Sequence, residues 1–493
     1  MKLYRSIFLA SALAVFSFEA SAQDFNKIFE DFVKSNQQEF ESFRERANRE
    51  YAEFMRKGWE WFEGKEPVAP PVQEEPVVPP VVVPEEDLDK DREEKEIPYG
   101  EVVPEPEPVP APMPIEPVED VPAPVVNTLS FELYGTDCIV RFDMDKRPFL
   151  SNVSENSIAD LWEAFVAYDG LDNMLYDMYS QREGLGLCDW AYYKYVKSFC
   201  HTLYPDNPAE AGVLHAFILT QSGFKLKIGV DNSGCVYPLM AIECDLYSYP
   251  YFELDGNNYY VLEENSPQSM KILEDGFPAT LHPMRISMET ENLFAEVLSP
   301  TRTLASKRYP GASVSVASNL NLIEFFNDYP LAFVNNDMRT KWRFYANVPA
   351  SHNIREAVYP ALRRAIAGKS ELDAANILLN FVQTAFEYEY DDEIWGRDRS
   401  FFADESIYYP YCDCEDRSIL FSRLVRDLMG LDVVLIYYPG HLASAVRFME
   451  DVTGDYIIYD NSRYTICDPT YINAPVGMTM PDMDNATAFV VVL

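Results

Sequence analysis

The chain is poor in positive charge: 40 Lys and Arg stand against 80 Asp and Glu, a formal charge of -40. Nucleic acid as a partner is not expected, because phosphate binding relies on clustered cations that displace counterions. Cysteine is scarce too, with eight in 493 residues, too few for a fold scaffolded by disulfides. Those thiols and the five histidines give no zinc pattern, since Cys412-x-Cys414 lacks a matching second pair; no metal or other cofactor is expected. Beyond the first 22 residues no run reaches the roughly 18 apolar residues that a membrane-crossing helix requires. No transmembrane segment is therefore expected after the leader.

What is present begins with that leader. Met1 to Arg5 is basic, Ser6 to Phe18 is apolar, and Ala20-Ser21-Ala22 supplies small residues before Gln23. Residues 1–22 thus read as a secretory signal peptide, which implies export to the periplasm or the extracellular space. The first cysteine is Cys138, so no lipid anchor is expected at the cleavage site. With 47% hydrophobic and 14% aromatic residues, the remainder can build two or three cores.

Residues 23–66 read as one amphipathic helix. Phe29, Phe40, Tyr51 and Phe62 recur every eleven residues, and Phe32, Phe43 and Phe54 follow three positions later. Steps of three, four and four average about 3.67 residues per turn and make a single stripe. The stripe packs either on the protein's own core or on an envelope partner, a second copy or a membrane surface. Residues 67–126, dominated by Pro, Val and Glu, read as a disordered, stiff linker, because proline fixes φ and removes donors. Residues 127–348 read as a mixed α/β accessory domain. It has a strand over Leu129 to Asp143, a Ser157-x-x-Asp160 helix start, helices near 189–199 and 209–220, and strands near 224–228, 236–242 and 259–262. A further strand is expected over Trp342 to Val348, with the domain boundary near Pro349. The last domain, 349–493, opens with helices near 354–367 and 372–385.

That last domain carries the chemistry. Asp413 is a good N-cap and Asp416 completes a capping box, which puts Cys414 in the first turn of a helix that Gly430 ends. Free N–H groups and the helix dipole there favour a thiolate, while the adjacent carboxylates oppose it and call for a partner such as Arg417 or Arg423. Val433 to Tyr438 then reads as a buried strand, Pro439-Gly440 as a turn, and His441 to Val446 as the returning strand, with Ala443 and Ala445 leaving room on the His441 face. A third strand over Tyr456 to Asp460 leads to Tyr464 through Asp468. With adjacent strands, Asp468 orients a His441 imidazole that takes the proton of Cys414. Cys412 is the nearest rival thiol, and it stands where a disulfide to Cys467 is conceivable.

Cys414-Glu415-Asp416-Arg417-Ser418-Ile419-Leu420, Tyr438-Pro439-Gly440-His441-Leu442-Ala443 and Cys467-Asp468-Pro469-Thr470 together resemble the transglutaminase-like superfamily of papain-like thiol enzymes, over about the last 120 residues. The resemblance implies an α+β fold in which a papain-like transglutaminase core sets a Cys-bearing helix start on an antiparallel sheet carrying His and Asp. It implies Cys414 as nucleophile, His441 as base and Asp468 as orienter. The oxyanion donor is left among the Cys414 amide, Tyr411 and Trp395. The expected activity is attack on a peptide or glutamine amide of a protein or peptide substrate through a Cys thioester, with hydrolysis favoured over cross-linking. The alternative is a catalytically silent envelope adaptor that uses the same fold for binding.

Overall fold

The computed structural model describes residues 43–70, 80–84, 93–122, 127–263, 266–481, 483 and 488–493. The expected leader, residues 1–22, and Phe29, Phe32 and Phe40 of the aromatic repeat lie outside them. The protein is mixed α+β, with 34% helix and 24% strand.

Its larger core forms where four helices, Glu155–Val166, Leu171–Gly184, Asp189–Leu203 and Pro208–Gln221, meet a six-stranded sheet. That sheet is antiparallel throughout, in the order Glu60–Glu63, Ser269–Ile272, Leu226–Val230, Val236–Ala241, Asn257–Val261, Tyr251–Leu254. The helix Pro208–Gln221 lies against Val236–Ala241 so closely that a Cβ on Gly212 would stand 1.9 Å from the Val236 carbonyl oxygen. Only glycine permits that approach.

Several sequence expectations change here. The stretch Leu129 to Asp143 is a hairpin, Thr128–Leu133 against Thr136–Arg141, because Tyr134 and Gly135 both take positive φ. The first of the four helices is capped by Ser154, which accepts from the Ser157 amide, one turn earlier than Ser157-x-x-Asp160 suggests. Lys341–Ala346 is a short helix and not a strand. The helix expected over 23–66 covers 43–55 among the described residues, and Glu60–Glu63 is an edge strand. Its stripe packs on the protein's own core: Tyr51 sets its edge on Trp162 at 5.2 Å and on Phe277 at 5.3 Å. Asn48, buried next to that stripe, accepts from Trp162 Nε1 at 2.8 Å and from Gln221 Nε2 at 3.1 Å.

The Pro-rich segment departs furthest from expectation. Where described it is neither free nor disordered. The second six-stranded sheet runs in the order Tyr456–Tyr459, Ser462–Cys467, His441–Arg447, Asp432–Tyr438, Ala488–Val492, Tyr99–Val103. Tyr99–Val103 pairs parallel with Ala488–Val492. Just before it, Ile97 N–H donates to the Tyr456 carbonyl at 2.8 Å and Tyr456 N–H to that of Lys95 at 2.9 Å. One segment, 95–103, is thus bonded to both edges and closes the sheet into a barrel. Alternate residues fill its interior, among them Val434, Ile436, Ala443, Ala445, Ile466 and Val490, with Ile97 and Val83 contributed by the Pro-rich segment. Proline does not prevent this, because it flanks the strand and removes no donor from within Tyr99–Val103.

The helix Cys414–Met429 packs on the outside of the barrel, and Glu371–Ala385 packs on it in turn. Gly430 ends the Cys414 helix with φ 70°, as its position in the sequence suggests.

Candidate functional site

Asp413 accepts from the amides of Glu415 at 3.1 Å and Asp416 at 3.4 Å, and Asp416 returns the contact by accepting from the Asp413 amide at 3.3 Å. This capping box makes Cys414 the first residue of its helix. The thiol is buried at 8% exposure, in one cluster with Ile419 and Leu442.

His441 begins its strand beside the Pro439-Gly440 turn, paired with Tyr438, whose ring stacks on the imidazole at 6.3 Å. Its Nε2 meets Asp468 Oδ2 at 2.9 Å. The other oxygen of Asp468 accepts from the amides of Thr470 at 2.9 Å and Tyr471 at 3.1 Å. Gln383 fastens this loop from the neighbouring helix, donating through Nε2 to the carbonyls of Asp468, Tyr471 and Ala474. The carboxylate is therefore fixed on three sides, and the ring it holds is fixed with it. His441 Nδ1 is buried and has no hydrogen-bond partner.

The structure brings His441 and Asp468 into direct contact and sets the Cys414 helix against the same strand. Ser418, one turn after Cys414, donates from Oγ to the Leu442 carbonyl at 2.9 Å, and Leu442 is the residue after His441. The helix approaches the outer face at Leu442 and Ser444, whereas Ala443 and Ala445 belong to the barrel interior. The room expected beside the two alanines is thus filled by the barrel's own core. His441 stands at the rim of the barrel where its strand begins, and strand alternation puts it on the same face as Ala443 and Ala445.

The charges around the thiol are arranged differently from expectation. Arg417 Nη1 and Nη2 donate to the carbonyls of Gln383 and Phe386, each at 3.2 Å, and Arg423 pairs with Asp427. Neither neutralises the first-turn acids. Lys341 does so in part, lying on Asp398 and 3.8 Å from Glu415, whose oxygens also accept from Trp342 Nε1 and Ser400 Oγ. Asp391, Asp398 and Glu415 come close enough to hold a cation, and the Lys341 ammonium already supplies positive charge there. Burial pushes the carboxyls of Asp413 and Asp416 well up, towards the neutral form, which reduces their opposition to a thiolate at Cys414. Burial also lifts Asp391 to about 7.

Among the buried donors without a partner in the described residues are the Tyr388 hydroxyl and Trp395 Nε1. Tyr388 lies beside the start of the Cys414 helix, since the Cys412 amide donates to the Glu387 carbonyl at 3.1 Å and the Arg417 guanidinium sits 5.2 Å from the Tyr388 ring centre. Burial raises its phenol strongly, and negative charge at Cys414 raises it further. Sequence reading missed Tyr388; the one signal in the chain is the aromatic run Tyr388-Glu389-Tyr390 just upstream of the motif. Tyr411 is stacked on Tyr409 at 6.2 Å. All eight cysteines are free, so Cys412 and Cys467 form no disulfide; both are buried thiols of the core between the Cys414 helix and the barrel. No helix among the described residues is long and apolar enough to cross a membrane. No protein-family model, no curated protein and no solved structure matches this chain.

Proposed function

We propose that the protein is an exported thiol enzyme of the transglutaminase-like, papain-like type, acting on amide bonds of a protein or peptide. The observation that carries the reading is the imidazole of His441, held through one nitrogen by Asp468 while the other is buried without a partner. A ring fixed in this way offers one basic nitrogen at a set position, the arrangement that activates a nucleophile. Cys414, at the start of a helix joined to the same strand, is that nucleophile.

In this reading His441 Nδ1 takes the Cys414 proton, and the thiolate sulfur bonds to the amide carbonyl carbon. The Tyr388 hydroxyl donates to the oxyanion as the C=O π bond opens. Collapse breaks the C–N bond; the amine leaves with the proton carried by His441, and a thioester remains. Water, deprotonated by the same imidazole, then attacks the thioester carbonyl, releasing the carboxylic acid and restoring the thiol. Transfer to an amine in place of water would give a cross-link, and hydrolysis is the favoured outcome. Replacing Cys414 by Ala should lower amide hydrolysis by at least roughly a thousandfold; an unchanged rate rules the mechanism out.

The burial of Cys414 and His441, 8% and 1% exposed, favours a second reading, in which the same fold is a catalytically silent adaptor at the envelope. Alkylation by a thiol-directed electrophile at neutral pH separates the two. Preferential modification of Cys414 that is lost in His441→Ala supports the enzyme, and reaction no faster than at the other cysteines supports the adaptor.

A further inference from the structure

Strand registers identify which end of the barrel carries His441. Tyr438 pairs with His441, Tyr437 with Phe489, Ser444 with Cys467, and Tyr456 with Thr465. The end of one strand, the starts of three others and the Cys467-Asp468 exit therefore ring a single rim. The Pro-rich segment crosses that rim before it enters the sheet. Ile97 and Lys95 are bonded to Tyr456 there. Further upstream, Val83 N–H donates to the Ile472 carbonyl at 2.9 Å, and Ile472 N–H donates to the Val81 carbonyl at 2.8 Å.

Ile472 is four residues beyond Asp468, in the loop that Gln383 fastens. Both of its main-chain groups are taken by one extended segment, the pairing by which a β-edge receives an incoming peptide. Val83 drops its side chain into the barrel core at 3% exposure, while Val82 between the two bonds points outward at 60%. The segment thus sits as a bound peptide would: main chain paired, one apolar side chain buried, the next one free.

We propose that Ile472 and the adjoining rim form an acceptor for an extended apolar peptide, and that residues 80–84, Pro80-Val81-Val82-Val83-Pro84, are its resident occupant. Resting on the thiol-enzyme reading, this assigns the substrate class as an extended Val/Pro-type segment of a protein and makes the strap an autoinhibitory contact. Release of the strap opens the rim over which the imidazole and the thiol are approached. Among the described contacts the strap is held by two main-chain bonds, the buried Val83 and the half-buried Val81, so a competing segment with the same pattern can displace it.

The test reads access to Cys414, not turnover, so that it stands apart from the fate of the enzymatic reading. In the full-length protein, alkylation of Cys414 by iodoacetamide, followed by peptide mass spectrometry, should be at least about tenfold faster in Val83→Asp, because the strap then opens locally. Val82→Asp, on the exposed neighbour, should leave the rate unchanged. A synthetic peptide of residues 79–85, added at millimolar concentration to Val83→Asp, should slow it again. Equal rates in the two variants, or no protection by the peptide, overturn the proposal. Should Val83→Asp unfold the protein, seen as alkylation of the core thiol Cys200, Val83→Ala decides by the same comparison. A faster-reacting Cys414 without hydrolysis of an unfolded protein substrate would sink the enzymatic reading and leave the strap standing.

Discussion

Tyr388 is the participant in the proposed chemistry that the chain announces least. A buried hydroxyl without a partner costs roughly 1–3 kcal/mol relative to one that is bonded. Such a cost is tolerated where the group acquires its partner during function, and an oxyanion forming on the Cys414 adduct would be one. Tyr388→Phe removes the donor and keeps the ring that faces Arg417. The expected result is a fall of about a hundredfold in kcat with little change in KM, and a fold as stable as before or slightly more so. A variant with full kcat would move the donor's role to Trp395 or to the Cys414 amide. Residue-scale roles were legible in the sequence wherever they are local. The Asp413 cap, the first-turn position of Cys414 and the αL termination at Gly430 follow from neighbours within four positions. Tyr388 precedes Cys414 by two short helices, Asp391–Ile394 and Ala403–Tyr408, and the loops around them, and only tertiary packing makes it a neighbour.

Among the elements, the join between two helix starts has a pH dependence that can be stated with its sign. Ser351 caps the helix His352–Ile366, and its amide donates at 3.2 Å to Asp404, whose other oxygen accepts from the Ser351 hydroxyl. Asp404 itself stands in the first turn of Ala403–Tyr408. Burial outweighs both Ser351 bonds and pushes the Asp404 carboxyl up to about 6. In the unfolded chain the same group titrates near about 3.9. The folded state therefore holds the proton longer, so this group's contribution to stability falls as pH rises from about 4 to about 6 and stays low above that. Asp404→Asn keeps an acceptor for the Ser351 amide and does not titrate. Urea unfolding at pH 4 and pH 7 should show the variant gaining on the native protein by up to about 3 kcal/mol across that interval. Parallel stability curves would show that Asp404 stays charged in the fold. The elements were largely readable beforehand, including the two helices that precede the motif and the hairpin that carries His441. The misread ones have physical causes. Lys341–Ala346 has aromatic, strand-like composition, yet Trp342 reaches Glu415 and Arg343 the Val492 carbonyl, contacts that only the folded chain supplies.

At the scale of the whole molecule, the largest gap between sequence and structure is the barrel closed from the far end of the chain. Tyr99 Oη donates to the Ile458 carbonyl at 2.8 Å, and Arg463 pairs with Glu94 at 2.8 Å, contacts between segments more than 350 positions apart. Composition counts prolines and charges, and both point to an extended spacer; what it does not show is a barrel lacking one strand. Extended geometry suits either role, and the two make opposite predictions about replacement. If 95–103 were a spacer, exchanging it for a Gly/Ser stretch of equal length would leave the fold intact. As the closing strand it buries Ile97 and Val103, at 1% and 2% exposure, and satisfies main-chain groups on Ala488–Val492 and Tyr456. The exchange should then open two sheet edges at once and uncover the Val434, Ile436 and Val490 interior, with loss of two buried side chains worth about 1.5–3 kcal/mol each. The expected outcome is a fall of 10 °C or more in Tm, of the order a loss of several kcal/mol produces. Binding of a hydrophobic dye and growth of soluble aggregates should accompany it, because open edges pair with other chains. Restoring only Ile97, Tyr99 and Val103 within the Gly/Ser stretch should recover most of the loss. An exchanged protein that melts at the native temperature without binding dye would return the segment to the role of a tether.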